Sequence, residues 1–400
     1  MRILFIQPTN SIGGAEYSLL SLVKSLHKKK HSIFISIPQS KNKEYTKLLE
    51  PYVDGFVFVK PMSWHIDRKF KFGYKRFLNF LYRCYCSEGW HFTPIFKLFW
   101  FIKKNKIDLV HTNTMLAIEG AIAAKLYGVP HIQHVREPIG LDEASLYKFP
   151  LQKRRSLFKK IMNFLHQGVI ANSEFTLNLA SPYFSKGKLI CIHNPITEDF
   201  FANQFIKDQK YSSGKTIIGM IGNVTSKWKN HQLLIEIANV YKNSNSDLDV
   251  QFNIYGKLPD ERDLYFMELQ NLIKNYKLES IVTFKDYCES VAIYKEIDLL
   301  IHTSTQEAFG RIYIEAMAMG VPVITVKGGG ALELIKNGEN GFLIDVDNPK
   351  GFVYKAEDLI TDENLYRNVV KNGFIFSKKF RSDLISSKVE DYYNTILNKK

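Results

Sequence analysis

The chain has 400 residues, 45% apolar and 14% aromatic, and 54 Lys and Arg against 40 Asp and Glu give it a net charge of +14. That length is too great for one hydrophobic core, so two domains of roughly 150–200 residues each are expected. No apolar run of ~18 residues is present, which excludes a membrane-spanning helix, and the basic excess calls for an anionic partner.

In chain order, MRILFIQPTN lacks the layout of a secretion signal and reads as a first strand, Ile3–Gln7. A helix follows with Ala15, Leu19, Leu22, Val23 and Leu26 on one face. Ile33–Ile37, Phe56–Val59, Leu109–Thr112, His131–Val135 and Val169–Ala171 read as further strands. Between Lys60 and Lys106 stand eleven Lys or Arg but only two acids, Asp67 and Glu88, with fourteen aromatics interleaved over Trp64–Phe101. Phe70–Tyr85 and Leu151–Leu165 are read as amphipathic basic helices of the kind that lie on anionic membranes. Packing on the sheet with solvated charges is the alternative. No nucleic-acid-binding motif accompanies the charge. The cysteines Cys84, Cys86, Cys191 and Cys288 are scattered and read as reduced thiols of a cytosolic protein.

The polar stretch Asn203–Gly214 reads as a linker. A second strand series follows at Thr216–Ile221, Val250–Tyr255, Ile281–Phe284, Leu299–His302, Val321–Thr325 and Phe342–Ile344. Strands alternating with helices make an α/β chain of two doubly wound, Rossmann-like domains facing across a cleft.

Parallel sheets bind ligands beyond the carboxyl ends of their strands, where helix N-termini offer free N–H groups. In STQEAFGRIYIEAMAMGVPVIT, Glu307 follows a strand, Phe309, Gly310 and Arg311 open a helix, and Glu315 sits inside it. Four residues of helix span ~6 Å, the reach from a diphosphate to a ribose. Without context, the two glutamates read as a helix cap, Glu307, and a solvated face residue, Glu315.

This stretch and GGGALELIKNGENGFLI (Gly328–Ile344) resemble the donor-site signature of family-4 retaining glycosyltransferases, which have the two-domain GT-B fold. The resemblance implies an acceptor-binding domain over 1–200, a nucleotide-sugar domain over 201–377, and a C-terminal helix over 378–400 that returns to the first domain. It implies a hexosyl- or related transferase working without a cofactor or divalent metal on a UDP- or GDP-type nucleotide sugar. Asp345 and Asp347, a formal D-x-D, are read as a turn.

The family's phosphate-binding lysine falls on Lys229. Asn223 stands where an arginine is common, which makes Arg311 a candidate replacement cation or else a solvated first-turn residue. Gly13 and Gly14 match the family's donor-closing loop, and His134 matches its histidine near the donor sugar. Catalytic roles are therefore expected of His134, Glu307 and Lys229. Donor binding is expected of Gly13, Gly14, Asn223, Lys229, Glu307, Phe309, Gly310, Arg311 and Glu315. His111, Arg136 and Glu137 are acceptor-side candidates. The expected acceptor is a lipid-linked, lipopolysaccharide or capsule precursor, and the expected place is the inner face of the cell membrane, peripherally bound from the cytoplasm. A soluble acceptor, or an inactive carbohydrate-binding protein on the same fold, are the alternatives.

Overall fold

The computed structural model describes residues 1–40, 43–62, 64, 92–140, 149, 151–202, 214–244, 246, 248–286 and 290–398. The helix expected at Phe70–Tyr85, the thiols of Cys84, Cys86 and Cys288, and all but Gly214 of the expected linker lie outside them. The chain divides into two compact units, Met1–Pro195 with Ser382–Lys400, and Ile196–Arg381.

The first unit is built on β1 (Arg2–Ile6), β2 (Ser32–Ile37), β3 (Gly55–Phe58), β4 (Leu109–Thr112), β5 (His131–Val135), β6 (Gly168–Ala171) and β7 (Leu189–Cys191). They form a parallel sheet in the order β3-β2-β1-β4-β5-β6-β7. Both faces are covered, so Ile3, Leu4, Phe5 and Ile6 are all buried and the strand reads as an unbroken apolar run. The edge strand β7 was not expected from sequence. It has three half-buried residues, too few to show a period, and is defined by its pairing of Val169 with Leu189.

The helix Gly14–Lys28 buries Leu19, Leu22, Val23 and Leu26 at the predicted spacing. Across it lies the final helix, Ser382–Leu397, which places Ile385, Val389, Tyr393 and Ile396 in the same core. Ser25 and Ser386 hydroxyls meet at 2.7 Å, and Glu390 takes Lys29 at 2.8 Å and His31 at 2.7 Å. The C-terminal helix thus belongs to the first unit.

One expectation is corrected here. The helix read over Leu151–Leu165 is Arg155–Leu165, and its apolar stripe is not offered to a membrane. Phe158, Met162 and Leu165 are buried in one core with Phe149, Tyr183, Val135 of β5 and Val169 of β6, and Trp64 stacks on Phe158. Leu157 and Phe164 remain outside among exposed Arg154, Arg155 and Lys160.

The second unit carries β8 (Thr216–Ile221), β9 (Val250–Tyr255), β10 (Val282–Lys285), β11 (Leu299–His302), β12 (Val323–Val326) and β13 (Phe342–Ile344), parallel in the order β10-β9-β8-β11-β12-β13. β12 starts two residues later than expected because Pro322 has no N–H for a ladder; its carbonyl accepts from Leu300 N at 3.0 Å. Both sheets run outward from a central pair, β1–β4 and β8–β11. Such switch points are where open parallel sheets bind their ligands.

Candidate functional site

The second unit's switch point brings together what the sequence holds 78 residues apart. After β8 the chain turns at Asn223, whose Oδ1 accepts from Thr225 N at 3.2 Å and Thr225 Oγ1 at 3.0 Å. It then runs through a short 3-10 turn, Lys227–Lys229, and enters the helix His231–Lys242 at Asn230, which takes φ 56°. The Thr303 hydroxyl ties this loop to the end of β11, with Lys229 O at 2.9 Å and Asn230 O at 2.8 Å. Lys229 Nζ, 4.2 Å from the Trp228 ring centre, donates to Glu307 Oε1. His302, the last residue of β11, lies 3.0 Å from the same oxygen through Nε2. Burial pushes the Glu307 carboxyl up, but the Lys229 ammonium and the His302 ring outweigh it and hold it at about 2. Glu307 is therefore a nearly buried, ionised carboxylate.

Three glycines hold its loop in place. A Cβ on Gly329, whose φ is 53°, would lie 2.4 Å from Glu307 O, and one on Gly330 would lie 2.5 Å from Phe309 O. Gly330 N instead donates to Glu307 O at 2.8 Å. The Gly328–Gly330 backbone can lie directly on residues 305–309 only without side chains there. Gly310, at φ 92°, then turns the chain into the helix Arg311–Ala318. The Phe309 side chain is core, against Phe380 at 5.7 Å between ring centres, and so is not offered to a ligand.

Glu315, 6% exposed, lies one turn into that helix. Arg311 donates to its Oε1 from Nε at 3.0 Å and Nη2 at 2.7 Å, and the Tyr294 hydroxyl donates to Oε2 at 3.1 Å. Arg311 is thus not a solvated first-turn residue. Asp345 and Asp347 stand in the turn after β13, ahead of the Asn348-capped helix Pro349–Thr361. Among the described residues, no three His, Cys, Asp or Glu are grouped to hold a metal ion.

In the first unit, Gly13 precedes the helix Gly14–Lys28 with extended backbone, and a Cβ there would sit 2.9 Å from Glu16 Oε2. Gly14 has open space around it. The buried Glu16 carboxylate accepts from Gln7 Nε2 at 2.8 Å and from Thr9. His111 in β4 and His134 in β5 are fully enclosed, stacked 5.4 Å apart at 16°, with His111 Nε2 3.2 Å from His134 Nδ1. Burial, then the Arg136 charge, lowers His111 to about 3 and His134 well below its usual value, so both rings are neutral. Arg136 Nε donates to Asn113 Oδ1 at 2.9 Å, and Nη1 to Asn194 Oδ1. Glu137 Oε2 accepts from Met115 N at 3.3 Å and Arg136 N at 3.2 Å, and burial pushes its carboxyl up to about 7. His111, His134, Arg136 and Glu137 therefore form one cluster at the ends of two adjacent strands.

Sequence reasoning missed His302, Tyr294, Asn113, Asn194 and Tyr393, the partners that orient these groups. Only His302 and Asn113 carried a signal: each is a polar residue at or just past the end of a strand beside a switch point.

Two family models together match most of the chain: "Glycosyltransferase Family 4" over residues 12–200 and "Glycosyl transferases group 1" over residues 202–375. The chain is 26% identical over 319 residues to the capsular polysaccharide biosynthesis glycosyltransferase CapM of Staphylococcus aureus, covering 76% of this chain and 80% of that one. It is 32% identical over 154 residues to the N-acetyl-alpha-D-glucosaminyl L-malate synthase of Bacillus anthracis, covering 38% and 39%. The crystal structure of Anabaena HepE in complex with UDP and glucose superposes with a TM-score of 0.76 at 22% identity, covering 99% of this chain and all of that one.

Proposed function

Because the chain belongs to the family-4 glycosyltransferases and has the GT-B fold, we propose that it moves a sugar, with retention, from a nucleotide diphosphate to a surface-glycan precursor held at an anionic membrane. The observation that supports the donor half is the ionised Glu307, gripped by Lys229 and His302 beneath the helix Arg311–Ala318. A departing diphosphate builds negative charge, and Lys229 with the amides at Phe309–Arg311 receives it. One such donor is typically worth ~3–4 kcal/mol at the transition state. Glu307 accepts from the sugar hydroxyls, and Glu315 from the ribose diol. The leaving charge is met by the Lys229 ammonium and neutral backbone N–H donors, and on this reading the reaction needs no divalent metal. The UDP found in the HepE complex makes uridine donors the first to try.

The acceptor half draws support from CapM, whose name assigns it to capsular polysaccharide biosynthesis, and from the surface of the helix Thr93–Lys104. Phe92, Phe96 and Trp100 recur every four residues and are 49%, 60% and 59% exposed, with Lys97, Lys103 and Lys104 exposed beside them. Aromatics with flanking cations suit the headgroup layer of an anionic leaflet. No helix among the described residues is long and apolar enough to cross a membrane.

The test is a panel of UDP- and GDP-sugars screened by calorimetry and then for transfer to an extract of lipid-linked glycans. Binding of a nucleotide sugar, a product of unchanged anomeric configuration and full activity in EDTA are expected. Failure to bind any nucleotide sugar, inversion, or EDTA loss restored by Mn²⁺ would each overturn its part.

A further inference from the structure

The buried histidines of the first unit are linked to the last helix of the chain. Tyr393, on the helix Ser382–Leu397, is fully buried, and its hydroxyl lies 2.5 Å from His111 Nδ1. His111 Nε2 in turn lies 3.2 Å from His134 Nδ1. His134 Nε2 is buried with no partner among the described residues. A neutral imidazole has one donor and one acceptor nitrogen, so the direction of the first hydrogen bond dictates the others.

His111 is the hydroxyl's partner among the described residues. If His111 Nδ1 donated to Tyr393, the buried phenol proton would have no acceptor, which is the costly arrangement. Tyr393 therefore donates to His111 Nδ1. His111 Nε2–H then donates to His134 Nδ1, and the remaining proton of His134 sits on Nε2. We infer that Tyr393, through His111, locks His134 as its Nε2–H tautomer, a fixed uncharged donor for a substrate oxygen such as a sugar hydroxyl, and is a positioning residue for transfer. Burial supports this, since it keeps the Tyr393 phenol protonated and both rings neutral. A buried N–H with no acceptor among the described residues calls for an oxygen from elsewhere. In this tautomer His134 donates a hydrogen bond and has no free nitrogen with which to take a proton.

The kinetic half of this inference rests on the transferase reading; the tautomer does not. Long-range proton–nitrogen NMR of the full chain labelled with ¹⁵N-histidine reads the tautomer directly, with His134 assigned from the signals lost in His134→Gln. The wild type should show His134 with bare Nδ1 and protonated Nε2. In Tyr393→Phe, His134 should become a mixture of tautomers. Turnover should then fall about tenfold, the upper end of what one ordinary hydrogen bond accounts for, with a smaller change in donor KM. A protonated Nδ1 in the wild type overturns the inference, and that measurement needs no variant to fold. So does a Tyr393→Phe protein with the wild-type tautomer, or one with a mixed tautomer and full turnover. Absence of any transfer by the wild type would count against the transferase reading and leave the tautomer result standing.

Discussion

Lys229→Met removes the cation beside Glu307 while keeping most of the side chain's volume. Their side chains are only 13% and 12% exposed, so little water is present to screen the loss. In the wild type, the Glu307 carboxyl is held at about 2 against an ordinary 4.5. At 1.36 kcal/mol per unit, that difference stabilises the fold by roughly 3 kcal/mol at neutral pH. The sign follows from the lowered pKa: the contribution is complete above 4.5 and disappears as pH falls towards 2. With Lys229 gone, burial dominates and lifts the carboxyl above its ordinary value, although His302 remains as a partner. The variant is then penalised at pH 7 and relieved as Glu307 takes up a proton on acidification. Guanidinium unfolding of both proteins should show the variant about 3 kcal/mol less stable at pH 7, the lower end for a broken buried pair. The gap should narrow by pH 5. A difference below about 1 kcal/mol at pH 7 would mean the pair is screened as surface pairs are. A gap that ignores pH would mean that Glu307 is not the group responsible.

Glu315→Ala should weaken binding of a nucleoside diphosphate by roughly 1.5–3 kcal/mol in calorimetry, the scale of a hydrogen bond to a charged group; unchanged affinity refutes the ribose role. Gly330→Ala sets a Cβ 2.5 Å from Phe309 O, so thermal unfolding should register roughly 1–3 kcal/mol of destabilisation and nucleotide affinity should fall with it. A neutral outcome would mean that the two loops separate easily. Replacing Phe96 and Trp100 together by Ser should abolish co-sedimentation with anionic vesicles and leave nucleotide binding unchanged, since both are exposed and lie in the other unit. Equal sedimentation of variant and wild type would remove this helix from the membrane reading.

The sequence by itself determined what is local or periodic. Apolar runs and 3.6-residue spacing marked twelve of the thirteen strands of the two sheets, because a strand covered on both faces must be continuously apolar. The run from Glu307 to Glu315 was legible as a site because strand, turn and helix start lie within a few residues of one another. What only the tertiary structure decided depends on residues distant in the chain. β7 is a strand because β6 is beside it, and the stripe of Phe158, Met162 and Leu165 faces the core because Phe149, Tyr183 and Trp64 meet it there. No spacing rule joins Tyr393 to His111, or Gly329 and Gly330 to the Glu307 loop. Period and propensity are properties of neighbours along the chain. Protonation states and hydrogen-bond direction are set by neighbours in space, and those exist only after the sheets have formed.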